Sequence, residues 1–358
     1  MLEYFLYPLS RHIIVFHVLK YITFRTLSAM ITALLISMIF GGPFIRWMGR
    51  IGMGQVVRSD GPKNHISKKG TPTMGGLLMI LAIIVATILW MDIANVYVWI
   101  LLFALAGFGA IGFTDDYLKL RDRSSKGLRG SYKLVLETVL TIAIIYLLLR
   151  FDDLNYTLTF PFFKKIVLNL GWAYFLLFLF IVIGTSNAVN LTDGQDGLAI
   201  VPVMTCFGVY AVFAYVLGNV KFSDYLMFTP MPGTGEIATF SGAVIGAAMG
   251  FLWFNTYPAE IFMGDVGSLG LGGVLGVVAI ILKQEVLLAI IGGVFVVEAL
   301  SVITQVVSFK LIGRRVFAMA PIHHHFELRG WVEPKITVRF WIISILLALL
   351  GLATLKLR

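Results

Sequence analysis

Long apolar runs separated by short polar stretches organise this chain. Ten such runs lie near residues 22–42, 73–91, 97–113, 133–149, 170–186, 198–217, 236–254, 264–284, 287–309 and 337–356. A bilayer core about 30 Å thick requires roughly 20 mainly apolar residues per spanning helix, and each run approaches that length. A transmembrane β-barrel would instead need strands of alternating polarity. Stretches such as Leu77 to Trp90 do not alternate. The pattern therefore predicts an all-α, polytopic integral membrane protein with ten transmembrane helices. The glycine-rich runs at 236–254 and 264–284 carry the weakest signal of the ten. No internal repeat or long linker divides residues 1–358, so a single membrane domain is expected.

Composition agrees: 59% of the 358 residues are hydrophobic and 13% charged, the reverse of a soluble domain's balance. Lys and Arg accumulate in cytoplasmic loops. Eighteen of the 28 fall after the first, third and ninth runs: Arg46, Arg50, Arg58, Lys63, Lys68 and Lys69; Lys119, Arg121, Arg123, Lys126, Arg129 and Lys133; Lys310, Arg314, Arg315, Arg329, Lys335 and Arg339. These loops are expected in the cytoplasm and both termini outside. A net charge of +9 then reflects topology and contact with anionic lipid or phosphate, with no nucleic-acid partner. Arg11, His12 and Lys20 interrupt the apolar residues before the first run, unlike a cleavable signal. The lone Cys206 excludes an intrachain disulfide and a cysteine-based metal site.

The chemistry is concentrated in five polar stretches, all on the side that the charge bias assigns to the cytoplasm. Asp115 and Asp116 end the third run; adjacent carboxylates at a membrane boundary repel, so they fit either a pair kept for a cation or a proton-transfer task or a solvated helix end that begins the basic loop Lys119 to Lys133. Asn187 to Gly197 combines Asn, Asp and Gly, which supply turns and hydrogen-bonding groups for a polar ligand, but lacks the spacing and final Glu of a calcium loop. Asp265, between two glycines where the eighth run begins, fits either a helix cap or a magnesium ligand, and Asn255 adds an amide nearby. His323, His324 and His325 lie among Arg314, Arg315 and Arg329, a setting suited to an anion. His65 to Gly76 contains Lys68, Lys69 and Thr73 but not the Gly-Lys-Ser/Thr order of a P-loop.

Carboxylates, amides, imidazoles and lysines at one membrane edge imply a soluble anionic substrate, a divalent ion and a lipid partner. A transporter would place charges mid-membrane. The residues found inside runs are chiefly Glu137 and Glu298, neither with an evident partner in the sequence. A structural scaffold gives no reason for so many acidic and histidine side chains around one opening.

Four strings carry a resemblance: KKGTPTMGG at Lys68–Gly76, NAVNLTDGQDGLA at Asn187–Ala199, FLWFNTYPAEIFMGDVGS at Phe251–Ser268 and PIHHHFE at Pro321–Glu327. Through them the chain closely resembles the polyprenyl-phosphate N-acetylhexosamine-1-phosphate transferases, in their phospho-N-acetylmuramoyl-pentapeptide-transferase branch, almost end to end. PIHHHFE is similar to this branch rather than to the undecaprenyl-phosphate GlcNAc-1-phosphate relatives. The resemblance implies transfer of phospho-MurNAc-pentapeptide from UDP-MurNAc-pentapeptide to undecaprenyl phosphate, giving lipid I and UMP, with Mg²⁺, by a homodimer in the bacterial inner membrane. It implies Asp265 as metal ligand with Asp115 and Asp116 beside it, and Asp115 as the base toward the lipid phosphate. Lys68, Thr73, Asn187, Asn190, Asp193, Asn255 and His323 to His325 would surround the uridine diphosphate, with Asp196, Phe262 and Gln305 nearer the nucleoside. Gln195 stands where that family usually carries Leu.

Overall fold

A computed structural model describes residues 1–52, 54, 70–122, 127–151 and 156–356, without the side chains of 164 and 165. After a short helix α1 (Leu2–Leu6) and two 3₁₀ segments, the helices are α2 (Ile22–Arg50), α3 (Gly76–Trp90), α4 (Val96–Arg121) and α5 (Gly130–Phe151). A hairpin β1 (Thr157–Phe160) and β2 (Phe163–Asn169) precedes α6 (Ala173–Thr192), α7 (Ile200–Leu217), α8 (Val220–Leu226) and α9 (Gly235–Asn255). Then follow α10 (Gly264–Ile281), α11 (Glu285–Ile291), α12 (Gly293–Ile312), α13 (Ile322–Leu328) and α14 (Glu333–Ala353). Among the described residues, nine of these helices are long and apolar enough to cross a membrane, which makes this a mostly helical, multi-pass membrane protein. The antiparallel hairpin departs from an all-α reading: Pro161 breaks the apolar stretch into two strands too short to span.

The expected tenth span, α3, has 15 residues, or about 22 Å at 1.5 Å each. It begins against the first turn of α10, where Gly76 N–H donates to Met263 O at 2.9 Å. It ends beside the first turn of α2, where Arg25 donates to Trp90 O at 3.3 Å.

The two runs with the weakest apolar signal become the centre of the bundle. Every residue of α10 from Val266 to Ile281 is buried, and α9 is buried almost throughout. In lipid, helix association depends on close packing rather than on hydrophobicity, so small residues mark the interface. Gly242, Gly246 and Gly250, one turn apart, press α9 on the backbone of α2; Gly272 and Gly276 press α10 on α6. The outward faces of α2, α5, α12 and α14 carry exposed apolar residues such as Ile31, Val139, Leu300 and Leu346, as lipid contact requires.

Candidate active site

Four helix ends converge at one end of the bundle: the last turns of α4 and α6 and the first turns of α5 and α10. Asp115 and Asp116 on α4 are buried, and Asp265 opens α10 beside them. One oxygen from each of the three lies within 4.8 Å of the others. Three hard oxygen donors so close together suit a small divalent cation such as Mg²⁺.

Two lysines close the cluster. Lys119 Nζ lies 2.5 Å from Asp115 Oδ2, 3.5 Å from Asp116 Oδ1 and 3.1 Å from Asp265 Oδ2. Lys133 Nζ reaches the same Asp265 oxygen at 3.1 Å. Both lysines count only as topological charge in the sequence reading. For Lys119 a signal existed, because residues four and three apart share a helix face with Asp115 and Asp116. For Lys133 there was none, since its partner lies on another helix.

Backbone and amide donors fix the carboxylates. Leu128 N–H donates to Asp115 Oδ1 at 2.7 Å, and Val266 N–H, in the first turn of α10, to Asp116 Oδ2 at 3.2 Å. Asn190 Nδ2 donates to Asp265 Oδ1 and to Ser268 Oγ, each at 2.8 Å. Gly264 makes the approach possible: its φ is +73°, and a Cβ there would sit 2.5 Å from Asp116 Oδ2 and 3.1 Å from Thr73 Oγ1. Thr73 is buried in a strip hydrogen-bonded to the turn before α10, with Phe262 N–H on Pro72 O at 2.9 Å and Gly75 N–H on Phe262 O at 2.8 Å.

Asp193 follows α6; burial first, then the charges of Asp265 and Asp116, push its carboxyl well above the usual range. The neighbouring Gly194 faces His323, which is fully buried on α13. His323 Nδ1 stands 3.2 Å from Glu298 Oε2, so the mid-helix Glu298 has a polar neighbour that the sequence did not reveal. Glu137 has one too, accepting from Asn187 Nδ2 at 2.7 Å.

Other predicted site residues make hydrogen bonds that tie loops and helices together. Asn255 accepts from Gly197 N–H at 3.0 Å and donates to Ile261 O at 2.8 Å. Asp196 accepts from Ala259 N–H at 3.0 Å. Gln305 accepts from the N–H groups of Val316 and Phe317, each at 3.0 Å, and shapes the loop before α13. His325 Nδ1 accepts from Ala318 N–H at 3.0 Å, and His324 Nδ1 pairs with Glu327 Oε2 at 3.0 Å. Gln195 also points to Glu327, its amide 3.5 Å from Oε2. Lys68 and its basic neighbours Arg58, Lys63 and Lys69 lie outside the described residues, as do Arg123 and Lys126.

Residues 98–283, which include both ends of the acidic cluster, match the model of glycosyl transferase family 4. Over the full length of both chains the sequence is 55% identical to the phospho-N-acetylmuramoyl-pentapeptide-transferase of Syntrophus aciditrophicus (strain SB). It is also 55% identical, again over both full lengths, to the enzyme of that name from Desulfosudis oleivorans. The chain belongs to the phospho-N-acetylmuramoyl-pentapeptide-transferase family. Asp115, Asp116 and Asp265 all lie within the stretch matched by the family model.

Proposed function

We propose that this chain transfers phospho-MurNAc-pentapeptide from UDP-MurNAc-pentapeptide to undecaprenyl phosphate, releasing UMP and forming lipid I, the first membrane step of peptidoglycan synthesis. The observation that carries the reading is the cluster of Asp115, Asp116, Asp265, Lys119 and Lys133, set at a membrane edge in a chain that matches named transferases end to end. Phosphoryl transfer demands positioning and charge neutralisation more than covalent assistance.

Asp265, with Asp115 and Asp116, would hold Mg²⁺, which when bound supplies positive charge to a diphosphate and its leaving group. Lys119 and Lys133 offset the repulsion between two anionic reactants. Asn190 fixes the Asp265 carboxylate. Asp115 accepts the proton of the lipid phosphate, whose oxygen attacks the β-phosphorus of the nucleotide; the bond to the bridging oxygen breaks and UMP departs. Lys68, Thr73, Asn190, Asp193, Asn255 and His323 to His325 are assigned to the diphosphate side, and Asp196, Phe262 and Gln305 to the nucleoside side.

All ten helices cross the membrane in this reading, α3 included, because it runs from the acidic cluster to the opposite end. The ends of α2, α4 and α12 and the starts of α5 and α14 carry Arg46, Arg50, Lys119, Arg121, Arg129, Lys133, Lys310, Lys335 and Arg339, which supports a cytoplasmic site and external termini. The protein is placed in the bacterial inner membrane, as a homodimer forming one membrane domain over residues 1–358.

The test is purified protein with UDP-MurNAc-pentapeptide, undecaprenyl phosphate and Mg²⁺. UMP and lipid I are expected. Turnover of UDP-GlcNAc in place of the MurNAc substrate would move the chain to the related GlcNAc-1-phosphate transferases. UMP released without lipid phosphate would replace the direct attack by a covalent route through Asp115 or Asp116.

A further inference from the structure

The first turn of α5 has little to hold it. None of residues 130–136 is buried, and Tyr132, Leu134 and Val135 point outward. Yet from this turn Lys133 must deliver its ammonium to Asp265 on α10, 132 residues later in the chain. On one side the position is secured by Leu128 N–H on Asp115. On the other side the first buried residue of the helix is not apolar; it is Glu137, fully enclosed and one turn beyond Lys133 on the same face.

A carboxylate enclosed inside a membrane-spanning helix is costly unless a specific bond uses it. Glu137 Oε2 accepts from Asn187 Nδ2 at 2.7 Å, and that same amide also donates to Ile183 O at 3.0 Å, one turn back on α6. The donors of Asn187 are thus directed at α5 and at its own helix. We infer that Glu137 and Asn187 are positioning residues: together they pin α5 to α6 so that Lys133 meets Asp265. Asn187 then serves the site through Glu137 and Lys133 rather than by touching the nucleotide. The inference rests on the proposed transfer reaction for its kinetic consequence, though not for its geometry.

The experiment compares Glu137→Leu and Glu137→Gln, each alone and combined with Lys133→Ala. Glu137→Leu is expected to lower kcat/KM about tenfold, the effect of one lost hydrogen bond to a charged group. Glu137→Gln, whose carbonyl still accepts from Asn187, stays within about threefold of the parent. In the Lys133→Ala background Glu137→Leu costs less than about twofold, because two residues acting through one contact are not additive. An undiminished tenfold loss in that background, or parental kinetics for Glu137→Leu alone, overturns the inference. A second measurement needs no turnover: spin labels at Tyr132→Cys and Trp253→Cys, both exposed positions, in a Cys206→Ser protein. Pulsed electron resonance should give a narrow distance distribution for the parent and Glu137→Gln and a broadened one for Glu137→Leu; an unchanged distribution refutes the pin. If the label distances respond but the parent releases no UMP, the reaction is wrong and the pin stands.

Discussion

Lys119 and Asp265 are 146 residues apart in the chain and 3.1 Å apart at the end of the bundle. A cation so close to a cluster of carboxylates offsets their mutual repulsion and leaves Asp265 oriented by Asn190. Removal of the Asp265 carboxylate takes away the oxygen that both lysines share. Asp265→Ala should therefore lower UMP release by about a thousandfold or more, on the scale of losing electrostatic stabilisation of a transferring phosphoryl group. The variant should remain monodisperse in detergent with an unchanged helical circular dichroism spectrum. Millimolar Mg²⁺ should raise the Tm of the parent protein, as any ligand of the folded state does, and leave Asp265→Ala unmoved. Near-normal turnover of the variant would remove Asp265 from the reaction.

Gly264 lets α4 and α10 meet. With φ at +73° and Asp116 Oδ2 2.5 Å from where a Cβ would stand, Gly264→Ala has both a strained backbone and a displaced carboxylate. A loss of about 1–3 kcal/mol in stability is expected, together with a fall in kcat larger than that of Gly49→Ala, where a Cβ would meet nothing. Thermal unfolding and UMP release measured on the same preparations check both halves.

The spans were legible because a bilayer demands only length and apolarity, and nine runs became helices that meet both. The order of importance was not legible. α9 and α10 look weakest because Gly242, Gly246, Gly272 and Gly276 lower their apolar content, and these same glycines make them the centre of the packing. In the site, Asp115, Asp116 and Asp265 stood out as charges at membrane edges. Lys119 and Lys133 did not, because a loop lysine used for topology looks the same as one used for chemistry. The neighbour of Glu298 is hidden in the sequence for a similar reason: helical periodicity gives the face of a residue but not the neighbouring helix, and His323 arrives from a short helix after a loop.

Asp193 offers a pH-dependent prediction. Burial and the carboxylates of Asp265 and Asp116 raise its folded-state value above the unfolded one, so the folded protein holds this proton more tightly. Stability from this group is then present at low pH and is lost as pH rises toward the folded value. Asp193→Asn removes the penalty. In chelator, its Tm should exceed that of the parent at about pH 8.5, and the difference should shrink at about pH 5, where the parent carries the proton. An equal difference at both values would show that the charge of Asp193 is not what the fold opposes.

The opposite end of the bundle separates stability from catalysis. Arg25 at the start of α2 meets Glu236 at the start of α9 in a two-pronged pair, with contacts of 2.9 and 2.6 Å. Glu236 also accepts from Asp92 N–H at 3.0 Å, and Glu3 adds a carboxylate 2.8 Å from Arg25. Both members of the pair are buried, so removing Arg25 alone leaves Glu236 a buried carboxylate without its cation. Arg25→Leu should cost about 3–5 kcal/mol, and adding Glu236→Leu should recover much of it, since an apolar pair replaces a buried ion pair at little cost. Because α2 and α9 carry this pair at the ends remote from Asp265, the double variant should keep the kcat of the parent enzyme. Guided by thermal unfolding and UMP release, a double variant as unstable as Arg25→Leu would show that the pair fixes the geometry of this end rather than merely balancing its charges.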